Sequence, residues 1–221
     1  IDTVVIPLEN YNTAQKQKDS VILPLLTLAI TQIQESAIET KRQPVSMELF
    51  CADGYYSHYL ATKNFYCLGS DLCDKSGERA IRANNIEHAQ LIARAAGHCG
   101  STRFWRGDAY EVQGDFDLVL CIGGLYHVTD PLKILSRSLG STRQGGFLLI
   151  HTVVSESLDI NCKFVSPAPG WSWGCRFTSD WLRCWLENRT DIELLSFSTG
   201  TLTYNRNIHD RMYSAALAKK L

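Results

Sequence analysis

Residues 46–60 read S-M-E-L-F-C-A-D-G-Y-Y-S-H-Y-L, and their interpretation decides the fold. Met47 to Cys51 has the character of a short buried strand, and Tyr55 to Ala61 opens a helix. Ala52, Asp53 and Gly54 form the tight turn between them. A strand that passes through small residues into a helix lets backbone N–H groups and the helix N-terminus approach a ligand closely. Asp71 stands at the end of the next apolar run, Phe65 to Gly69. An acidic residue at the tip of a second strand can hold a ribose through its two hydroxyls. The pattern is that of a nucleoside-binding βαβ unit.

Working outward, Asp74 to Gly97 is rich in Ala, Arg, Glu and Ile and predicts a helix. Ser101 to Trp105 predicts a third strand, followed by R-G-D-A-Y at 106–110. Phe116 to Ile122, F-D-L-V-L-C-I, is a near-continuous apolar run, as a strand buried on both faces of a parallel sheet requires. It breaks at Gly123-Gly124 into L-Y-H-V-T-D-P at 125–131. A helix from Pro131 to Leu139 and an apolar strand from Phe147 to Val154 follow. Strands alternating with helices predict an α/β layered fold with a parallel sheet. Ser179 to Asn188 then reads as a helix, and Ile192 to Phe197 and Arg211 to Ala218 as strands. Gly200 to Asp210 is too short for a parallel crossover, so these last strands should pair antiparallel.

Upstream, a helix is expected from Asp19 or Ser20 to Thr40, with Leu25, Leu28, Ala29, Gln32, Ile33 and Ala37 on one face. Asp19 or Ser20 would cap it, and Pro24 is tolerable in its first turn. Such a helix can cover one end of the sheet, or act as a lid over a pocket.

The 221 residues, 45% hydrophobic and 20% charged, suffice for one core and a single domain. Residues 1–44 are expected to form a helical cap and 46–221 the ligand-binding core. A net charge of −1, with no basic tract, offers no footprint for a long nucleic acid, so such a partner is not expected. No apolar run reaches about 18 residues, so no membrane span is expected. Of the eight cysteines, Cys51, Cys67 and Cys121 fall in predicted buried strands, and no C-x-x-C pair occurs. A reducing cytoplasm suits that placement. No metal site is expected, because the one close His–Asp pair, His127 and Asp130, lacks further ligands nearby in sequence. The chain opens at Ile1, so some N-terminal sequence is expected to precede it.

With E-L-F-C-A-D-G at 48–54, G-S-D ending at Asp71, G-D-A at 107–109 and F-D-L-V-L-C before Y-H-V-T-D-P, the chain resembles the class I S-adenosylmethionine-dependent methyltransferases. The likeness runs from Met47 to Lys219. It is nearest in motif pattern to the branch holding tRNA wobble-uridine carboxymethyltransferases and related small-molecule methyltransferases. The resemblance implies a Rossmann-like fold with a mostly parallel seven-stranded sheet, an antiparallel C-terminal strand, and helices on both faces. It implies S-adenosyl-L-methionine as cofactor and S-adenosyl-L-homocysteine as product. Glu48 would orient the turn or approach the methionine ammonium, and Ala52 and Gly54 would pass close to ribose and methionine. Asp71 would bind the ribose hydroxyls, and Asp108 with the Ala109 backbone would read the adenine edge. Cys121, Ile122 and Gly123 would line the methionine end. The family usually has glycine where this chain has Phe50, and an aromatic ring there would narrow the cleft.

Each residue also has a plain reading. Asp71 could be a helix cap and Asp108 part of an ordinary turn. Glu48 is harder to dismiss, since an unpaired carboxylate within an apolar strand is costly. His127 stands where ligands sit, outside the carboxyl ends of the strands, and a histidine ordinarily titrates near about 6.5, suited to a catalytic base. His151, inside the fifth strand, carries less weight. Tyr126, Trp171, Trp173 and Arg176 are the candidate walls for a small-molecule acceptor with an oxygen or nitrogen nucleophile. A tRNA base is the alternative acceptor, from the resemblance alone. A non-catalytic cofactor-binding protein is the rival that Phe50 raises. A nicotinamide-dependent oxidoreductase would want G-x-G-x-x-G in the first turn, which F-C-A-D-G-Y does not supply.

Overall fold

Five apolar segments form the parallel part of one sheet: β1 (Val45–Leu49), β2 (Tyr66–Asp71), β3 (Thr102–Arg106), β4 (Phe116–Ile122) and β5 (Thr142–Val153). The computed structural model describes residues 8–72, 85–155, 162–165, 174–202 and 211–221. A hairpin, β6 (Cys162–Val165) and β7 (Gly174–Phe177), forms a separate two-stranded sheet. The last strands, β8 (Ile192–Leu202) and β9 (Arg211–Lys220), complete the main sheet in the order β3-β2-β1-β4-β5-β9-β8. β9 is antiparallel to both β5 and β8, as the short connection requires. Both last strands run further than their apolar patterns indicate. The strand order reverses between β1 and β4, so ligands are expected at the carboxyl ends of those two strands.

The helices are α1 (Leu8–Thr40), α2 (Tyr55–Ala61), α3 (Asn85–Ala95), α4 (Pro131–Ser141) and α5 (Ser179–Glu187). α1 begins well before Asp19 and Ser20, so neither residue caps it. Polar helical turns leave no apolar trace in a sequence, which is why periodicity missed them. The buried face shares Ala29, Ile33 and Ala37 with the expected one, while Leu28 points outward at 42% exposure; Ile22 and Leu26 are buried beside Ala29 and Ile33. These residues pack on Leu118, Leu120, Phe147, Leu149 and Leu217, across the middle of the sheet. α1 is therefore part of the core rather than a cap over one end. Contrary to expectation, its segment Gln17–Thr40 is long and apolar enough, by length and composition, to cross a membrane, and 33% of its most apolar window is buried within the protein. α4 and α5 cover the other face, where Cys121, Ile150, Leu135, Leu139, Leu182 and Phe177 share a core. α3 is shorter than the expected helix, of which residues 74–84 lie outside the described residues.

At the amino end of the sheet, Asp117 is 3% exposed and gathers cationic partners. It accepts both arms of the Arg42 guanidinium, the Val45 N–H at 2.8 Å and an ion pair from Arg143 at 3.2 Å. Burial is the largest single influence and would raise this carboxyl's pKa, but the hydrogen bonds from Arg42 and the Val45 N–H and the charges of Arg143 and Arg42 together outweigh it and hold the group below the usual range. The end of the sheet opposite the site is thereby pinned.

Candidate functional site

β1 leaves the sheet early because Phe50 adopts a left-handed backbone, φ 58°. Ala52 (φ 48°) and Gly54 (φ 77°) do the same, so alternate positions of this turn take the conformation that glycine favours. For the two side-chain-bearing residues that costs about 1–2 kcal/mol each. Only Gly54 is sterically obliged to be glycine: a Cβ there would lie 2.5 Å from the Phe104 ring. The tight winding aims the Ala52 N–H at the end of β2, where it donates to Asp71 Oδ2 at 3.0 Å. The acid at the second strand tip and the turn after the first are thus in direct contact.

Glu48 is 4% exposed, and its Oε2 accepts from the Ser57 N–H at 2.8 Å and the Ser57 hydroxyl at 2.5 Å. Burial pushes its pKa up to about 7, against the Ser57 hydrogen bonds, which pull it down. Asp108 Oδ1 accepts from the Tyr110 N–H at 2.9 Å and caps the short 3₁₀ turn Ala109–Glu111, in which Ala109 is buried. The Tyr110 hydroxyl in turn accepts from the Asp130 N–H at 2.8 Å, joining this turn to the segment that leaves β4. Cys121 points into the core and its thiol pKa is pushed up to about 12 by burial, so only its backbone could meet a ligand.

At the tip of β4, Gly123 takes φ 75° and donates its N–H to the His151 carbonyl at 2.8 Å. A Cβ on Gly123 would meet open space, whereas one on Gly124 would strike the Phe50 ring. Phe50 therefore reaches from the β1 turn to the exit of β4. An acid and a backbone turn of small residues, as a nucleoside's ribose requires, stand together at the Asp71 end, and the Phe50 ring lies at the β4 end.

Leu125–His127 form another 3₁₀ turn, with His127 exposed and its ring 4.1 Å from that of Tyr126. The β6–β7 hairpin clamps this turn. Arg176 Nη1 donates to the Tyr126 carbonyl at 3.0 Å, and its guanidinium lies over the Tyr126 ring at 6.0 Å. A Cβ on Gly174 would strike the Tyr126 carbonyl and the His127 backbone. Tyr126, His127 and Arg176 are thus brought together, with Arg176 engaged in holding the turn. Trp171 and Trp173 lie outside the described residues. Among the described residues, no group of three or more His, Cys, Asp or Glu side chains comes together.

Sequence reasoning missed one contact outright. Asp19 accepts from the hydroxyls of Tyr55, at 2.8 Å, and Tyr56, at 3.1 Å, latching α1 onto the first turn of α2. Burial and the Asp19 hydrogen bond push the Tyr55 hydroxyl's pKa up to about 12. The adjacent tyrosines directly after the glycine turn were the available signal, but only the crossing of the two helices identifies their partner.

A family model described as a methyltransferase domain matches residues 29–200. No curated protein sequence matches. Among solved structures, the N-terminal domain of EvdMO1 with SAH bound is 21% identical, with a TM-score of 0.56 over 87% of this chain and 81% of that one. Magnesium protoporphyrin IX methyltransferase of Synechocystis PCC 6803, with SAH bound, is 16% identical, with a TM-score of 0.60 over 98% and 89%. The [4+2]-cyclase SpnF is 16% identical, with a TM-score of 0.58 over 94% and 97%. At these identities the likeness is one of fold.

Proposed function

We infer the function from a plain premise: this chain belongs to the methyltransferase domain family. The proposed activity is S-adenosylmethionine-dependent methyl transfer, by in-line displacement, to an oxygen or nitrogen of a small molecule, leaving S-adenosylhomocysteine. A fold shared with a [4+2]-cyclase does not by itself fix the reaction, so the weight falls on the site. The observation that carries the reading is the hydrogen bond between Asp71 and the Ala52 N–H, which joins the end of β2 to the turn leaving β1, beside the strand-order reversal where open α/β sheets bind ligands.

When bound, S-adenosylmethionine supplies a methyl group activated by a sulfonium centre. The chain's own residues bind and orient. Asp71 would hold the ribose hydroxyls, Asp108 and the Ala109 backbone the adenine edge, and Gly54 and Gly123 the close approaches of backbone to ligand. Glu48, buried beside Ser57, would carry its negative charge when an ammonium faces it. His127 would take the proton of the methyl acceptor, and Arg176 would fix the turn that presents it. Alignment of this kind can supply about 7–11 kcal/mol of the barrier.

Calorimetry with S-adenosylmethionine and S-adenosylhomocysteine tests the reading, and neither binding would overturn it. Asp71→Ala should weaken binding by about 1.5–3 kcal/mol, the range for hydrogen bonds to a charged group. Asp71→Asn, which keeps an oxygen for the Ala52 N–H, separates loss of the ribose contact from loosening of the turn. An unchanged affinity in both variants removes Asp71 from the site.

Phe50→Gly should do the reverse. It frees the left-handed backbone and takes the ring off Gly124, so affinity for S-adenosylhomocysteine is expected to rise by about 1 kcal/mol, roughly fivefold. Weaker binding in this variant would make the ring a contact rather than a constriction. Labelled methyl donor offered to pooled tRNA and to small metabolites in parallel decides the acceptor class. Label entering tRNA alone would refute a small-molecule acceptor.

A further inference from the structure

His151 is 1% exposed, and among the described residues neither of its ring nitrogens has a protein hydrogen-bond partner. Burying an imidazole with both nitrogens unsatisfied is costly, and native structures keep such groups where they serve a purpose. The position supplies one. His151 is at the carboxyl end of β5, in register with Ile122 of β4, and its carbonyl accepts the Gly123 N–H at the tip of β4. Alternation along β5 puts its side chain on the same face as Leu149, the face that α1 covers.

The surroundings define what could bind. The Tyr213 ring stacks on the imidazole, with centroids 5.2 Å apart and planes 27° apart. Val21 and Leu25 of α1 pack against Tyr213. Burial and then the charge of Lys18, also on α1, push the His151 pKa down to about 3, so the ring is neutral and offers one N–H and one lone pair. Around this neutral imidazole stand the Tyr213 ring, aliphatic side chains of α1 and the Lys18 ammonium.

We propose that His151 is the polar floor of a methyl-acceptor site beneath the N-terminal half of α1, where it hydrogen-bonds the hydroxyl of an aromatic acceptor. This rests on the methyltransferase reading and deepens it. A phenolic hydroxyl satisfies the imbalance at His151 as donor or acceptor, its ring suits the Tyr213 wall, and Lys18 favours an oxygen that carries negative charge. The site adjoins the tip of β4, from which the Leu125–His127 turn springs. α1 packs over this face of the sheet and is latched by Asp19 to Tyr55 and Tyr56.

Phenol is the probe, and anisole, which lacks the O–H, is the control. Both are titrated into the full chain with and without S-adenosylhomocysteine, followed by calorimetry and by NMR of the protein with ¹⁵N-labelled histidine. Phenol is expected to bind and to shift the His151 ring nitrogens, assigned from their loss in His151→Gln. His151→Phe should lose phenol affinity roughly tenfold or more, and His151→Gln should recover most of it. Affinity for S-adenosylhomocysteine should stay constant across these variants. Equal phenol binding in wild type and His151→Phe overturns the proposal, as does phenol that leaves the His151 nitrogens unmoved. If His151→Phe fails to fold, the wild-type nitrogen shifts decide. Binding of S-adenosylhomocysteine without phenol overturns the His151 site alone. Binding of phenol at His151 without either nucleoside supports the pocket and overturns the methyltransferase reading.

Discussion

Replacement of His127 by alanine is expected to lower kcat by about 10²–10⁴-fold, the contribution of a positioned general base, without changing affinity for S-adenosylhomocysteine. The residue is exposed on the turn that leaves β4, beside the open space at Gly123, so a bound molecule can reach its ring. The turn is not free to wander: Arg176 holds the Tyr126 carbonyl, and the Gly174 backbone packs against His127. A base held in this way gives its full effect only if the acceptor must lose a proton during transfer. The measurement is steady-state turnover with an acceptor found by screening small molecules against labelled methyl donor. Turnover in His127→Ala equal to wild type would remove the residue from the chemistry. Because the side chain is exposed, the substitution leaves the core intact, and unchanged thermal unfolding should accompany the loss.

The second large effect is on stability and comes from Glu48. Its pKa in the folded chain is about 7, against an ordinary value of 4.5, because burial penalises the charged form. The sign follows from proton counts. Below pH 4.5 the carboxyl is protonated in both folded and unfolded chains, and its contribution to stability is fully present. Between 4.5 and 7 the unfolded chain releases the proton while the folded chain keeps it, so stability falls as pH rises. Above 7 both are ionised and the loss levels off at about 3 kcal/mol. Glu48→Gln keeps an oxygen for Ser57 and has no charge to bury. It should match wild type near pH 4 and exceed it by up to about 3 kcal/mol at pH 8. Denaturant unfolding at the two pH values checks this, and parallel pH profiles for both proteins would sink it. Binding of S-adenosylmethionine should weaken in the same variant, because the ammonium loses a charged partner.

The sequence by itself determined the layered α/β fold, the order of its strands along the chain and the antiparallel ending. Each of these rests on burial repeated along a short stretch: F-D-L-V-L-C-I, for example, records a strand covered on both faces. It also placed Asp71 and the 52–54 turn at neighbouring strand ends, because a βαβ unit leaves them little freedom. Only the tertiary structure decided what those residues touch. The left-handed backbone of Phe50 and its ring on Gly124 depend on the pairing of β1 with β4, which brings their exits side by side and which no local pattern records. The clamp of Arg176 on Tyr126 depends on a hairpin folding back over the β4 exit. Asp19, locally indistinguishable from a helix cap, became the partner of two tyrosines because α1 crosses the start of α2. That the nitrogens of His151 have no protein partner among the described residues became visible only once β4, β9 and α1 had closed around it. Periodicity registers that a side chain is buried, whereas the identity of its neighbours follows from strand register and helix crossing, which are properties of the whole chain.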